Sequence, residues 1–238
     1  MRKALMITVA VIVVLLVAAD RISLLVADSQ IASRVQKSQG LASSPKVSIK
    51  GFPFLTQVIG GRYGEVDVAV RDVTRNGLTV DRVSVHAHGV SVPLSKVLSG
   101  SVIEVPVGRA DGQVTLGFAN LNSYISRQLG QVLTVSSDGQ KLRLTGTLPV
   151  PPNLSVTAEA SIDVSGNSIT LRPTALETVL SKVPGGQASR SVIQRFFTVK
   201  LPISQLPFGI RLQRATVTKH GIAIAASATG LTLRAPSG

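Results

Sequence analysis

Short alternations of apolar and polar residues, separated by two-residue turns, run through most of this 238-residue chain. In EVDVAV (65–70) the valines share one face of a strand, and Asn76-Gly77 then supplies a tight turn into TVDRVSVHAHGV. The pattern recurs in QVTLGF (113–118) and around further turns at Asp138-Gly139, Gly166-Asn167 and His220-Gly221. These thin valine and leucine faces predict an α+β fold in which a long, strongly curved antiparallel sheet wraps around one or two helices.

Two stretches follow a helical period instead. The first, ANLNSYISRQLG (119–130), spaces large apolar side chains at i, i+3, i+4 and i+8 and ends in a glycine that suits a helix C-cap. These side chains are Leu121, Tyr124, Ile125 and Leu129. The second stretch, TALETVLSKVPGG (174–186), predicts a short helix that is ended by its proline and glycines.

The N-terminus resembles an export segment. Arg2 and Lys3 precede an apolar run from Ala4 to Ala19, in which Thr8 is the only polar residue. As a helix this run spans roughly 24 Å, which is short for a hydrocarbon core of about 30 Å. VAAD offers a cleavage site after Ala19, whereas ISLLVA (22–27) would lengthen the span if the segment is kept. Residues 1–27 are therefore predicted to be either a cleaved signal or a membrane anchor, and both predict export.

A change of composition separates this segment from the rest of the chain. Residues 20–37 suit a helix, whereas ASSP (42–45) disfavours one because Pro45 restricts the backbone of the residue before it. We therefore predict a helix or linker over 28–44 and a single folded domain over 45–238.

Motifs that indicate common enzyme classes are missing from the sequence. It has no cysteine, nucleophile elbow, phosphate loop, dinucleotide-binding glycine pattern, zinc-protease helix or calcium loop. His86 and His88 share a strand face, as do Glu65 and Asp67, and we interpret both pairs as solvated because the sequence assigns neither pair a further ligand. The prediction is a protein without catalytic activity, metal or cofactor.

The formal charge of +13 is uneven along the chain. No acidic residue follows Glu177, whereas eight basic residues do. An exported chain meets anionic lipid headgroups and cell-wall polyanions, so these partners are expected rather than nucleic acid.

Aromatic residues make up only 3% of the chain, yet five of the six phenylalanines fall in two proline-punctuated apolar stretches. GFPFLTQVIGGRYGEV (51–66) predicts an apolar loop or short helix, and RFFTVKLPISQLPFGI (195–210) lies in the basic C-terminal third. Rings beside cationic side chains suit an amphiphile with an anionic head, because rings contact acyl chains and arginine or lysine contacts phosphate. The alternative is that both stretches only cap the ends of the sheet.

GFPFLTQVIGGRYGEVDV (51–68) and LPFGIRLQRATVTKHGIAIAASATGLTL (206–233), together with the export segment, resemble the LmeA-like envelope proteins of actinobacteria. That family is similar to the tubular lipid-binding superfamily. The resemblance covers nearly the whole exported chain and implies an apolar tunnel formed by a curved sheet around a helix. It also implies phospholipid binding and a part in envelope glycolipid maturation, but it does not identify any binding residue in this chain.

The leading hypothesis is non-enzymatic binding, with transfer as a further option, of a phospholipid or related amphiphile at the outer face of the plasma membrane. The expected partners are an anionic phospholipid, the membrane surface and enzymes of envelope glycolipid synthesis. The residues predicted to contact acyl chains are Phe52, Phe54, Leu55, Val58, Ile59, Tyr63, Leu121, Tyr124, Ile125, Leu129, Phe196, Phe197 and Phe208. The candidates for an anionic headgroup are Arg62, Arg195, Lys200, Arg211 and Arg214, with solvated surface charge as the alternative.

Two other functions stay open on sequence alone. One is an envelope enzyme that acts on a lipid-linked substrate, and turnover of such a substrate by purified protein would identify it. The other is a wall-associated module that binds polyanions through the basic C-terminal third. Polyanion binding falls steeply with salt, whereas burial of acyl chains does not.

Overall fold

The computed structural model describes residues 2–98, 104–129, 133–148, 154–165, 168–174, 191, 194–202 and 211–234. The helices are α1 (Arg2–Gln39), α2 (Phe54–Gly60), α3 (Leu94–Leu98) and α4 (Phe118–Leu129). The strands are β1 (Lys46–Lys50), β2 (Arg62–Arg75), β3 (Leu78–Ser91), β4 (Glu104–Gly117), β5 (Leu133–Ser137), β6 (Leu142–Leu148), β7 (Leu154–Ser165), β8 (Ser168–Pro173), β9 (Val199–Pro202), β10 (Arg211–Val217) and β11 (Gly221–Arg234).

The strands form two sheets, ordered β1-β2-β3-β4-β11-β10 and β5-β6-β7-β8-β9. The recorded pairings are antiparallel, and one sheet is strongly curled into a half-barrel, so the predicted α+β class with a curved sheet around a helix is confirmed. The Asn76-Gly77 turn joins β2 to β3, and both turn residues have positive φ, at 51° and 79°. This backbone matches the mirror-image turn that fits twisted hairpins.

The chain divides into two compact units. Unit 1 comprises Met1–Val70, Ser84–Asp111 and Ala228–Gly238, and unit 2 comprises Arg71–Val83 and Gly112–Ser227. The predicted division at residues 27 and 44 stays a prediction.

Unit 1 contains α1, a single helix of 38 residues. Over Met6–Lys37 this helix is long and apolar enough to cross a membrane by length and composition, criteria that an N-terminal signal sequence also meets. Its later half packs on β1, where Val47 and Ile49 are buried. Asp28 Oδ1 accepts a hydrogen bond of 3.1 Å from the Ile49 amide, so α1 covers part of an edge strand.

Unit 2 is built around α4. Side chains of α4 pack against alternate residues of β5 to β9, with further contacts from β10, β11 and the ends of β3 and β4. The burial alternates along each strand, as in β5, where Leu133 and Val135 are buried while Thr134 is exposed. The core is therefore a layer of mainly aliphatic side chains between one helix and a curved sheet.

Two sequence predictions need comment. The sequence pattern predicts that Phe118 ends a strand, but β4 ends at Gly117 and Phe118 begins α4, where its amide donates to the His220 carbonyl at 3.1 Å. Nearly all of the predicted helix over 174–186 lies outside the described residues, as does the predicted Gly166-Asn167 turn.

Candidate functional site

The α2 segment, defined as residues 51–63, links β1 to β2 and is shaped by its glycines. Gly61 ends α2 in the left-handed conformation, with φ of 62°, and its amide donates to the Val58 carbonyl at 3.2 Å. A Cβ on Gly61 would lie 2.9 Å from Pro93 Cα. Only glycine satisfies both the backbone conformation and this close approach.

Polar side chains fix the α2 segment at both ends. Gln57 donates from Nε2 to the Lys50 carbonyl at 3.1 Å, and its Oε1 accepts from the Gly64 amide at 3.2 Å. Asp20 of α1 accepts a 2.8 Å hydrogen bond from the Leu55 amide, one of the unpaired donors of the first turn of α2. The Asp20 carboxylate is buried, so this contact fixes α2 on α1.

The apolar side chains of the α2 segment divide into two groups. Phe54 is 4% exposed, and its ring centroid lies 6.5 Å from that of Tyr63, whose pKa is raised by burial. Phe52 and Ile59 are 59% and 76% exposed, respectively. The two half-buried residues between them are Leu55 and Val58. The structure therefore does not bring all six predicted acyl-chain contacts to one surface.

The predicted contacts on α4 lie in unit 2. Leu121, Tyr124 and Ile125 are buried in the core cluster that α4 forms with the sheet. Asn122 attaches the helix to edge strand β5, since its Nδ2 donates to the Val135 carbonyl at 3.0 Å and its Oδ1 accepts from the Val135 amide at 2.7 Å. The side-chain amide of Asn122 thus forms with Val135 the two hydrogen bonds that a neighbouring strand would form at this edge of the sheet.

Phe196 and Phe197 join the same cluster. Phe197 is fully buried, Phe196 is half-buried, and their rings meet edge to face with centroids 5.5 Å apart. The structure therefore brings the predicted residues of α4 together with both phenylalanines of the second aromatic stretch. Phe208, and the side chains of Leu129 and Arg211, lie outside the described residues.

The described headgroup candidates are Arg62, Arg195, Lys200 and Arg214, and all four are exposed. None of the four forms an ion pair with a carboxylate in the described part of the chain. Lys200 lies between the buried Val199 and Leu201 of β9, so its side chain points to the opposite face of the sheet from the core. Arg195 directly precedes the two core phenylalanines.

Glu65, Asp67 and His86, which the sequence places in two separate pairs, form one polar cluster on unit 1. His86 Nδ1 lies 2.7 Å from Asp67 Oδ1, and these atoms and a Glu65 carboxylate oxygen lie within 4.8 Å of one another. Lys50 Nζ lies 3.6 Å from the other Asp67 oxygen, so Asp67 already has two cross-strand partners. The hairpin register could have revealed the Asp67–His86 pair, since a two-residue turn at 76–77 places position 67 opposite position 86.

Arg109 and Asp111 form a bidentate ion pair on β4. Arg109 donates from Nε and Nη2 at 2.8 and 2.9 Å to the two oxygens of Asp111. The Arg109 guanidinium lowers the pKa of the Asp111 carboxyl, and His88 and His86 contribute less to the same shift. Both residues lie on β4, two positions apart, so we interpret them as an ion pair within one strand on a solvated sheet face.

Comparison with known proteins gives one match. No curated protein and no solved structure matches the chain. A family model described as LmeA-like phospholipid-binding matches residues 18–227, which is most of the chain. The match includes both aromatic stretches, α4 and the whole second sheet. The chain therefore belongs to the LmeA-like phospholipid-binding family, as the sequence resemblance predicted.

Proposed function

We propose that this protein binds a phospholipid without catalysis, and that the acyl chains lie in unit 2 between α4 and the curved sheet. The observation that carries the proposal is the phospholipid-binding family match over residues 18–227. The side chains that would line the site are mainly aliphatic, with the rings of Tyr124 and Phe197 among them. Burial of each acyl CH2 contributes about 0.8 kcal/mol, so such a lining binds chains without needing polar contacts along their length.

The way α4 is attached indicates where an acyl chain would enter. The recorded hydrogen bonds from α4 to its neighbours come from its first half, at Phe118, Asn120 and Asn122. Tyr124 and Ile125, in the following turns, contact their neighbours through packing. An acyl chain can replace the apolar contacts of separated packing surfaces, whereas it would leave paired polar groups with unsatisfied donors and acceptors. We therefore propose that the lipid displaces the second half of α4 from the sheet.

Arg195 is our first candidate for the lipid phosphate in unit 2. It is exposed and adjacent in sequence to Phe196, so a lipid whose chains contact this ring would hold its phosphate near the guanidinium. Lys200 is a weaker candidate, because its strand neighbours face the core and its own side chain faces away. This assignment favours an anionic phospholipid.

We further propose that the protein acts at the outer face of the plasma membrane, either anchored or secreted. The apolar helix α1 supports export, and the basic composition suits anionic headgroups. A part in envelope glycolipid maturation, with transfer of lipid to enzymes of that process, is the cellular role that the sequence resemblance favours.

The test is native mass spectrometry of the full chain, released from detergent, followed by identification of any lipid extracted from it. Ala160→Phe would add bulk to a half-buried residue that packs against the core cluster. Ala119→Phe, the matched control, makes the same change on the exposed side of α4. We expect stoichiometric phospholipid in the wild type and the control and at least a several-fold loss in Ala160→Phe.

Three other outcomes contradict parts of the proposal. A wild-type chain that neither carries phospholipid nor loads it from vesicles refutes lipid binding. Lipid retained equally by both variants refutes the position between α4 and the sheet. If Ala160→Phe lowers the unfolding midpoint of lipid-free protein sharply, the region is a dense core rather than a space that lipid can enter.

A further inference from the structure

Apart from α1, unit 1 carries most of its exposed apolar surface on the α2 segment. Outside α1, the described residues have only three exposed large apolar side chains, and two of them are Phe52 and Ile59. Leu55 lies one helical turn before Ile59 and is half-buried, so it extends the surface between them. We name Phe52, Leu55 and Ile59 the outer face of the α2 segment. Burial of Phe54 and bracing by Gln57 hold this face outward.

This outer face lies where the apolar run of α1 ends. The run closes at Ala19, and the next two residues both contact the α2 segment. Asp20 accepts the Leu55 amide hydrogen bond at 2.8 Å, and the Arg21 guanidinium carbon lies 4.8 Å from the centroid of the Phe52 ring. The outer face is therefore attached to α1 within one turn of its most apolar part.

Cationic side chains surround the same place. Arg21 is half exposed, Lys50, which also pairs with Asp67, directly precedes the α2 segment, and Arg62 lies near the end of the segment. The nearest carboxylate along α1 is Asp20, whose Oδ1 accepts from the Leu55 amide and whose Oδ2 lies 3.8 Å from Arg21 Nε. Phenylalanine and isoleucine between arginines and lysine match the boundary between anionic headgroups and acyl chains.

We propose that the outer face of the α2 segment inserts into the headgroup layer of the bilayer that α1 enters, with Arg21 and Arg62 at lipid phosphates. The proposal rests on the location in the proposed function and adds the surface that contacts the membrane. A helix at an interface buries its apolar face about 5–10 Å into this layer. Leu55 and Ile59 on the two turns of α2, with Phe52 just before the helix, can reach this depth. Phe52 and Ile59 then contact bulk lipid, whereas Phe54 and Tyr63 stay inside unit 1.

The absence of tryptophan from the chain provides a direct test. Phe52→Trp and Ile59→Trp each introduce one fluorophore into the full chain, which is reconstituted in nanodiscs that contain an anionic phospholipid. Thr134→Trp, at an exposed position of β5 in unit 2, is the control. Quenching by a spin label near the lipid headgroup is compared with quenching by aqueous acrylamide, and far-UV circular dichroism confirms folding.

We expect blue-shifted emission at positions 52 and 59, with several-fold more headgroup-label quenching and several-fold less acrylamide quenching than at position 134. Acrylamide quenching equal to that of the control refutes insertion. Protection from both quenchers also refutes it, and indicates that a second copy or another protein covers the face. Phe52→Asp with Ile59→Asp should remove the contact of the α2 segment with the bilayer, leaving only α1 inserted, while native mass spectrometry still finds bound lipid. Absence of bound lipid from the wild type, together with headgroup-label quenching of tryptophan at positions 52 and 59 of the variants, would refute only the proposed function.

Discussion

The α2 segment and α4 present similar sequence features, yet their apolar residues have different surroundings. Both were predicted to contact acyl chains, and both carry rings and aliphatic side chains at helical spacing. On α4 the side chains of Leu121 and Ile125 have no exposure, whereas on the α2 segment Phe52 and Ile59 are mostly exposed. α4 is held mainly by aliphatic packing, while α2 is held by Gln57, Asp20 and Gly61. Because hydrogen bonds together with the buried Phe54 hold α2 in place, its other apolar residues need not face inward.

The sharpest test of this contrast is isoleucine truncation in each region. Ile125→Ala removes a fully buried side chain and should lower the free energy of unfolding by about 2–5 kcal/mol. Ile59→Ala, the matched change on α2, should alter it by less than about 0.5 kcal/mol because the side chain is exposed. Urea unfolding of both variants measures the difference. Equal losses of unfolding free energy in the two variants would show that α2 and α4 depend on side-chain burial to the same extent.

The glycine that ends α2 should show the next largest effect. Gly61→Ala places a Cβ against Pro93 and imposes a left-handed backbone on alanine, so we expect a loss of roughly 1–3 kcal/mol. Gly60→Ala meets no atom within 4 Å and should be neutral or stabilise by up to about 1 kcal/mol. A comparison of the thermal unfolding midpoints of the two variants distinguishes the cost of backbone strain at position 61 from the general effect of replacing a glycine. A similar loss in both variants would contradict the role of Gly61.

Removal of the Asp20 carboxylate should have a moderate, local effect. Asp20→Ala leaves the Leu55 amide without its acceptor and should cost about 1 kcal/mol, as expected for loss of a helix N-cap. Asp20→Asn keeps an oxygen acceptor and should lose less. Hydrogen exchange at the Leu55 amide reports the contact directly. Unchanged exchange in Asp20→Ala would show that α2 does not depend on α1.

The smallest expected effect is a pH dependence from Tyr63. Burial raises the pKa of its phenol in the folded state, so the unfolded chain ionises first as the pH rises above about 10. The stability contributed by neutral Tyr63 is complete below pH 10 and is lost as the pH rises through the higher folded-state pKa. Tyr63→Phe should remove this dependence, measured by urea midpoints from pH 9 to 12. An identical pH profile in wild type and Tyr63→Phe would contradict burial of the phenol.

Local turn chemistry made much of the sheet predictable. Asn76-Gly77 and Asp138-Gly139 each join two adjacent strands at the predicted place. At the second turn, Asp138 Oδ1 accepts from the amides of Gln140 and Lys141, and these bonds lower the pKa of its carboxyl. Such turns are encoded by the residues that form them, so they can be read from a few consecutive positions.

Features that depend on distant pairing were not predictable. The first half of β4, from Glu104 to Asp111, contains proline, glycine and aspartate, which disfavour strands. It forms a strand because β3 and β11 flank it in the sheet. The division of the α2 segment into inner and outer side chains likewise depends on Asp20, 35 positions before Leu55. No pattern within residues 51–63 indicates that contact.

Because α1 continues without a break across Ala19 and Asp20, its structure affects when a peptidase could remove the N-terminal segment. A peptidase needs extended backbone at the bond that it cuts, whereas here that bond lies inside a helix and the Asp20 carboxylate is bound to the Leu55 amide. Cleavage at this place would require local unwinding of α1 and release of α2. Cleavage at this bond is therefore expected to be faster before α1 and α2 pack together than afterwards.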